Sequence, residues 1–256
     1  MIIRFLGTHN AESKSTRLVS FLIDGVLAVD AGSLVSELTF PEQKKIKAIL
    51  LSHGHYDHIR AVPAFAFNNS DRTTEVMATP EALDILSSHL IDGVVYPEFT
   101  SKSSFLQRAT IKLVPLEFFK RRKIEGYDVM AVPVQHPLDG VGFEITSGDG
   151  KTLFYTGDTG PGLSSIWGTI SPQLLIIDLT WPDSLANAAK DAGHLCPKML
   201  KEELIEFRRV KGYLPRVVAI HMSPQHEPEI KREIREVDKL LETSIDTACE
   251  GDEFIL

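Results

Sequence analysis

The octapeptide Leu51-Ser52-His53-Gly54-His55-Tyr56-Asp57-His58 crowds three histidines and an aspartate into six positions of a chain that has only nine histidines. The apolar run Ala48-Ile49-Leu50-Leu51 precedes it, behind the lysine-rich segment Lys44-Lys45-Ile46-Lys47, and predicts a buried strand over 48–51. Imidazole and carboxylate are the side chains that hold zinc, iron or manganese. On a tight turn at the end of a strand, the alternate residues His53 and His55 point to one side. Asp57 and His58 then curl back toward a second centre. Loops carry sites, and this crowding favours a metal centre over an exposed polar loop.

Working outward, residues 2–6 predict a first strand. Asp24-Gly25 joins strands over 18–23 and 26–29 into a hairpin, and Asp30-Ala31-Gly32 closes the second of them with a turn. A short helix broken by Pro41 leads to the strand before the cluster, and a helix over 59–67 opens on it. A strand over 75–78 is followed by Thr79-Pro80-Glu81, a helix start with N-cap, proline and acid, for a helix reaching about residue 90. Periodicity is lost over 91–108, which carries Tyr96, Phe99 and Phe105 and reads as a functional loop. Strands are expected over 111–116, 127–134, 141–146, 153–156, 174–179 and 217–220, and helices over 184–190, 197–210 and 228–241. Lys120-Arg121-Arg122-Lys123 reads as a solvated turn. Each half runs strand, strand, strand, helix, with no linker between. That order predicts one domain over 1–256 of the α/β type, a four-layer αβ/βα sandwich.

Four clustered residues cannot complete two metal centres, so further ligands are expected just past other strand ends. His136 follows the run Met130-Ala131-Val132-Pro133-Val134, Asp158 follows Leu153-Phe154-Tyr155-Thr156-Gly157, and His221 follows Val217-Val218-Ala219-Ile220. Of the remaining histidines, His89 reads as structural and His226 as solvent-exposed. His9, in the first loop, suits site and scaffold equally. His194, on a turn after a helix, is a candidate functional group.

Composition bounds the rest. Hydrophobic residues are 43% and charged residues 24% of 256, which is ordinary for a globular chain. No run approaches the roughly 18 apolar residues of a membrane span, and the first residues lack a signal-peptide pattern. Two cysteines make no disulfide framework, so a reducing cytoplasm is the expected compartment. A net charge of −8 disfavours nucleic acid as a partner.

The set His53-Gly54-His55-Tyr56-Asp57-His58, His136, Asp158 and His221 resembles the metallo-β-lactamase-fold hydrolases, over residues 7–223. Two phosphodiesterase groups of that fold match further. Asp30-Ala31-Gly32-Ser33, Val94-Val95-Tyr96-Pro97-Glu98-Phe99, Asp178-Leu179-Thr180-Trp181-Pro182, Gly193-His194-Leu195-Cys196-Pro197 and Ile220-His221-Met222-Ser223-Pro224 are similar to the class II cyclic nucleotide phosphodiesterases. Gly7-Thr8 with Arg17, and Asp178 with His194, resemble tRNase Z, the tRNA 3′-processing endonuclease, but no Gly/Pro-rich tRNA-holding arm is present. The resemblance implies two divalent metal ions, zinc by default and iron or manganese as alternatives. It assigns His53, His55 and His136 to one, Asp57, His58 and His221 to the other, and Asp158 as the bridge. It further implies a reaction in which a hydroxide held between the metals would attack phosphorus, Asp57 would assist it, and His194, oriented by Asp178, would protonate the leaving 3′ oxygen.

The expected substrate is therefore a 3′,5′-cyclic nucleotide or cyclic dinucleotide, with Tyr96, Phe99, Phe105 and Ser223 as substrate contacts and a homodimer as the assembly. A tRNase Z-like endonuclease, a thioester or lactone hydrolase, and a non-catalytic diiron or dizinc sensor are the alternatives. Because every ligand position and the acid are filled, catalysis ranks above sensing.

Overall fold

Strands whose side chains alternate between two apolar layers organise the chain. In the computed structural model, which describes residues 1–103 and 106–256, the first sheet is built from β1 (Ile2–Gly7), β2 (Ser20–Ile23), β3 (Leu27–Val29), β4 (Ala48–Leu50), β5 (Thr74–Ala78) and β6 (Ile111–Pro115). The second sheet takes β7 (Arg121–Ile124), β8 (Tyr127–Pro133), β9 (Val141–Thr146), β10 (Thr152–Tyr155), β11 (Leu174–Asp178), β12 (Arg216–Ile220) and β13 (Ile245–Thr247) in sequence. The last strand, β14 (Glu253–Ile255), returns to the first sheet and pairs antiparallel with β1.

The burial pattern explains the long apolar runs. Along β4, Ala48 and Leu50 enter the layer between the sheets while Ile49 and Leu51 face helices on the other side. Along β11, Leu174 and Ile176 enter the inter-sheet layer while Leu175 and Ile177 face the helices of the second half. Aromatic rings lock the central layer: Phe21 meets Tyr155 edge-on across the sheets, with ring centroids 5.1 Å apart. The outer helices are α1 (Phe40–Gln43), α2 (Tyr56–Ile59), α3 (Val62–Asn68) and α4 (Pro80–His89) on one side. On the other are α5 (Ser164–Trp167), α6 (Ala186–Asp191), α7 (Pro197–Lys211) and α8 (Glu227–Leu241). The αβ/βα sandwich expected from the sequence is the fold. No helix among the described residues is long and apolar enough to cross a membrane.

Three local expectations need correction. Pro41 opens α1 rather than breaking it: it sits in the first turn, where no N–H is needed, behind a Thr39–Glu42 capping box. The helix expected over 59–67 is two helices, α2 and α3, with the break at 60–61. The basic run is strand β7, not a turn. Its cations are neutralised by acids on neighbouring segments, as in Arg121–Glu144 at 2.6 Å and Lys123–Asp128 at 2.6 Å, so charge does not force it out of the sheet. Short elements without a strong pattern (α5, β13 and β14) had no signal.

Both sheets place parallel strands side by side, β3 to β6 in one and β10 to β13 in the other. Their carboxyl ends gather on one edge of the sandwich, where α/β folds place sites. Truncating a ring in the central layer should test this packing. Phe143→Ala is expected to cost about 3–5 kcal/mol in denaturant unfolding, whereas Ile205→Ala, on the exposed face of α7, should stay within about 0.5 kcal/mol.

Candidate metal centre

At that edge the strand ends deliver side chains from both sheets. His53 and His55 lie on the turn after β4, and His55 is the N-cap of α2, which carries Asp57 and His58. His136 follows β8, Asp158 follows β10, Asp178 ends β11 and His221 follows β12. Two backbone features let these loops meet. A Cβ on Gly32 would lie 2.2 Å from the Asp57 carbonyl oxygen, so only glycine lets the turn after β3 pack under α2. His221 adopts φ of 67°, a left-handed conformation that is strained for a side chain this large. Its N–H, donating to the Thr8 carbonyl at 2.6 Å, holds it there.

The donor atoms form three overlapping groups that all include Asp158, the third being Asp158, Asp178, His194 and His221, and the ligands expected from the sequence make the first two. His53, His55, His136 and Asp158 make the first, and Asp57, His58, Asp158 and His221 the second, with the donor atoms of each within 4.8 Å of one another. His55 Nδ1 lies 3.0 Å from His53 Nε2 and 3.1 Å from His136 Nε2. One proton can satisfy only one such pair, so three converging imidazole nitrogens suit a cation. His58 Nε2 is fully buried with no hydrogen-bond partner, although Asp158 Oδ1 stands 3.3 Å away. A buried polar atom left unpaired in a ring of acids is what a metal ligand looks like without its ion. The residues fit two divalent cations, and the mixed nitrogen and oxygen donors suit zinc.

Outer hydrogen bonds aim the ligands. His58 Nδ1 donates to Asp30 Oδ2 at 2.8 Å, and Asp30 is fixed in turn by the Ser52 amide at 2.8 Å, the Ser52 hydroxyl at 2.8 Å and the Tyr155 hydroxyl at 2.6 Å. His53 Nδ1 donates to Ser52 Oγ at 3.0 Å and His136 Nδ1 to the Gly193 carbonyl at 3.1 Å. His221 Nδ1 donates to Thr180 Oγ1 at 2.7 Å, whose own proton goes to Asp178 Oδ1 at 2.6 Å. In each case the bonded nitrogen leaves the other one facing the cluster.

Beside the second cluster, His194 Nδ1 donates to Asp178 Oδ2 at 2.8 Å, and the His194 ring stacks on His221 with centroids 5.2 Å apart. The His194 ring also meets His136 at 5.4 Å, so it spans both clusters. Burial pulls its pKa down, but the Asp178 carboxylate outweighs burial and the net shift is upward.

The other expected residues fall elsewhere. Phe99 is wholly buried in the layer between the first sheet and its helices, which makes it a packing residue, because the apolar interior outbids an aqueous base for its ring. Tyr96 is partly exposed with its ring 6.4 Å from Phe99. Phe105 lies outside the described residues. Ser223 is close to the site, its N–H bonded to the Thr180 carbonyl at 2.9 Å. His9 is scaffold, buried between Glu250 at 2.7 Å and Glu227 at 3.4 Å. His89 is exposed at the end of α4, and His226 is half-buried as the N-cap of α8 rather than free in solvent. The residues that sequence reasoning missed are the anchors Asp30, Ser52, Tyr155 and Thr180. Asp30 carried a faint signal, an acid closing a buried strand.

The profile of the beta-lactamase superfamily domain matches residues 20–222. The chain belongs to the beta-lactamase superfamily. Its paired clusters of histidines and aspartates are able to hold metal ions. An RNase J-like protein of Methanocaldococcus jannaschii is 25% identical over 194 residues, 72% of this chain and 42% of that protein. The chain spans less than half the length of the curated relatives it matches. Among solved structures, unliganded yeast PDE1 superposes with a TM-score of 0.84 at 15% identity, covering 100% of this chain and 99% of the other. The short form of human tRNase Z superposes at 0.69 with 18% identity, covering 100% and 99%. Likenesses at such identities show the shared superfamily fold.

Two outcomes test this centre. Asp30→Asn should weaken metal binding by about 10–100-fold at one of the two sites, read by metal titration, while the other site keeps its affinity. The clusters should also differ in pH dependence. Burial pushes His53, His55 and His136 below the usual imidazole range, so the first cluster presents neutral ligands. Burial acts the same way on His58 and His221, but Asp158 and the neighbouring acids outweigh it, raising both, His221 to about 10. Metal entering the second cluster must displace those protons, so its affinity should rise with pH between about 6 and 8 and release protons into the buffer. The first site should show little of either in calorimetry across buffers.

Proposed function

We propose that the chain is a phosphodiesterase acting on 3′,5′-cyclic nucleotides, cyclic dinucleotides included. The observation that carries this reading is the Asp178–His194 pair standing against both clusters. Cleaving a phosphodiester expels an alkoxide, a poor leaving group unless a proton reaches it. His194 is placed and tuned to deliver that proton. Asp178 holds Nδ1, Nε2 has no partner among the described residues, and the Asp178 carboxylate shifts the ring's pKa upward against its burial.

Two divalent cations held by His53, His55, His136, Asp57, His58, His221 and shared Asp158 would supply Lewis acidity to the phosphoryl oxygens and lower the pKa of water at the site. Asp57 lies at the rim with its side chain partly exposed. Burial alone would raise its pKa, but His58 and His221 hold it well below the carboxylate range. So weak a base orients the attacking water through a hydrogen bond more than it removes a proton. Asp158, kept ionised by the same imidazoles against its burial, balances the positive charge. Zinc is the metal this donor set favours, with iron or manganese compatible.

Cleavage of RNA, in the tRNase Z-like form or another, is the second reading, favoured by the RNase J-like and ribonuclease relatives. The net charge of −8 and the neutralised basic strand weigh against a polyanion.

The test assays cyclic AMP, cyclic GMP, cyclic dinucleotides and a precursor tRNA in parallel, with Asp57→Ala as the blank. Turnover of a cyclic nucleotide that vanishes in the blank supports the proposal, and cleavage of the tRNA alone moves the protein to the second reading. Two bound metals with no turnover of any substrate would leave a sensor. In the phosphodiesterase, His194→Ala should lower kcat by about 10²–10⁴-fold with metal content retained. Because the acid must be protonated, the wild-type rate should fall as pH rises through the raised His194 pKa, and the variant should lack that fall.

A further inference from the structure

Next to the first cluster, a cleft of about 280 Å³ opens between the segment after β8 and the end of α6. His136 forms part of one wall, and Gly193, the residue before His194, forms part of the floor. Gln135 lines the cleft as well, and Gly160 and Gly193 let its walls pack closely. A Cβ on Gly160 would touch Gly193 Cα at 3.4 Å, and one on Gly193 would come within 2.5 Å of Pro137 Cδ. Pro137 and Pro161 line the cleft as flat apolar surfaces. On its rim stand Lys190 and Asp191, the last two residues of α6. Neither charged group has an ion-pair or hydrogen-bond partner among the described residues. One cation and one anion, both unengaged, face a flat slot that adjoins the acid and the first metal cluster.

From this juxtaposition we infer that the cleft is the base subsite of the phosphodiesterase and that it selects guanine over adenine. The inference rests on the phosphodiesterase reading and names the substrate it prefers. The inference places the base of a nucleotide whose phosphorus lies at the clusters along the wall that His136 shares with the cleft. Guanine presents two neighbouring donors, N1–H and N2–H, beside the acceptor O6. A carboxylate takes the two donors together and an ammonium donates to O6. Asp191 and Lys190 are that complement. Adenine offers one donor, N6–H, beside the lone pair of N1, so one oxygen of Asp191 would face a lone pair. A site built to hydrogen-bond one pattern rejects the analogue that leaves its polar groups unpaired. Pro137 and Pro161 offer the flat ring apolar surface, and flipped bases are read along the same edge elsewhere.

The experiment measures kcat and KM for cyclic GMP and cyclic AMP with the zinc-loaded protein, together with calorimetric binding of 5′-GMP and 5′-AMP. Wild type should prefer guanine by about tenfold or more, expressed in KM and in binding rather than in kcat. Asp191→Ala and the isosteric Asp191→Asn should bring the guanine-to-adenine ratio close to one, and Lys190→Gln should raise KM for cyclic GMP more than for cyclic AMP. Equal KM and equal binding for the two bases in wild type would overturn the inference, and so would a preference that survives in Asp191→Ala. If no cyclic nucleotide is turned over, the phosphodiesterase reading fails. The binding of 5′-GMP against 5′-AMP, and its loss in the Asp191 variants, then decides the subsite separately.

Discussion

One buried carboxylate holds the active edge together. Asp158 faces His53 at 3.6 Å, His58 at 3.3 Å and His221 at 3.3 Å, so the two sheets and the loop after β4 converge on a single pair of oxygens. An ionised carboxylate in a dry interior is unstable without compensating charge. That constraint explains the company it keeps. Protons on His58 and His221 provide positive charge in the metal-free protein, and divalent cations provide it in the loaded one. Because Asp158 belongs to both clusters, neither can be moved without disturbing the other.

The scaffold around this carboxylate trades regular backbone for close placement. His221 keeps a left-handed conformation, and the turn after β3 tolerates only glycine beneath Asp57. Both departures fall within the shell of hydrogen bonds that aims the imidazoles. Thr180 shows how tightly this shell is wired. Its hydroxyl accepts from His221 and donates to Asp178, and Asp178 also holds His194. The ligand of one cluster and the candidate acid are therefore positioned through a common carboxylate, Asp178.

Electrostatics at the edge run opposite to those of the whole chain. The chain carries a net negative charge, while the site gathers histidines and aspartates that could hold cations. A small charged substrate is compatible with that contrast. A long polyanion would have to cross acidic surface, and the basic strand β7 offers it little, since its charges are spent on Glu144, Glu75 and Asp128. The unengaged pair on α6 is different: it stands where a substrate would reach it.

Much of this was legible in the chain itself. Apolar runs followed at once by His53, His136, Asp158 or His221 mark strand ends, and strand ends of one direction share an edge, so the ligands could be picked from local pattern. The αβ/βα sandwich followed from the order of those runs. Where the pattern misled, a local cue lost to a nonlocal one: the charges of 120–123 suggested a turn until acids on other strands neutralised them, and Phe99 suggested a stacking platform until the helix layer buried it. Ser52, Tyr155 and Thr180 have no local mark and that of Asp30 is faint, because an aspartate closing a strand or a threonine after one is common in any turn. Sequence by itself determined which histidines and aspartates follow strand ends. Only the tertiary structure decided which of them touch, because the packing of one sheet on the other sets distances between residues far apart in the chain, and no periodicity along the chain encodes those distances.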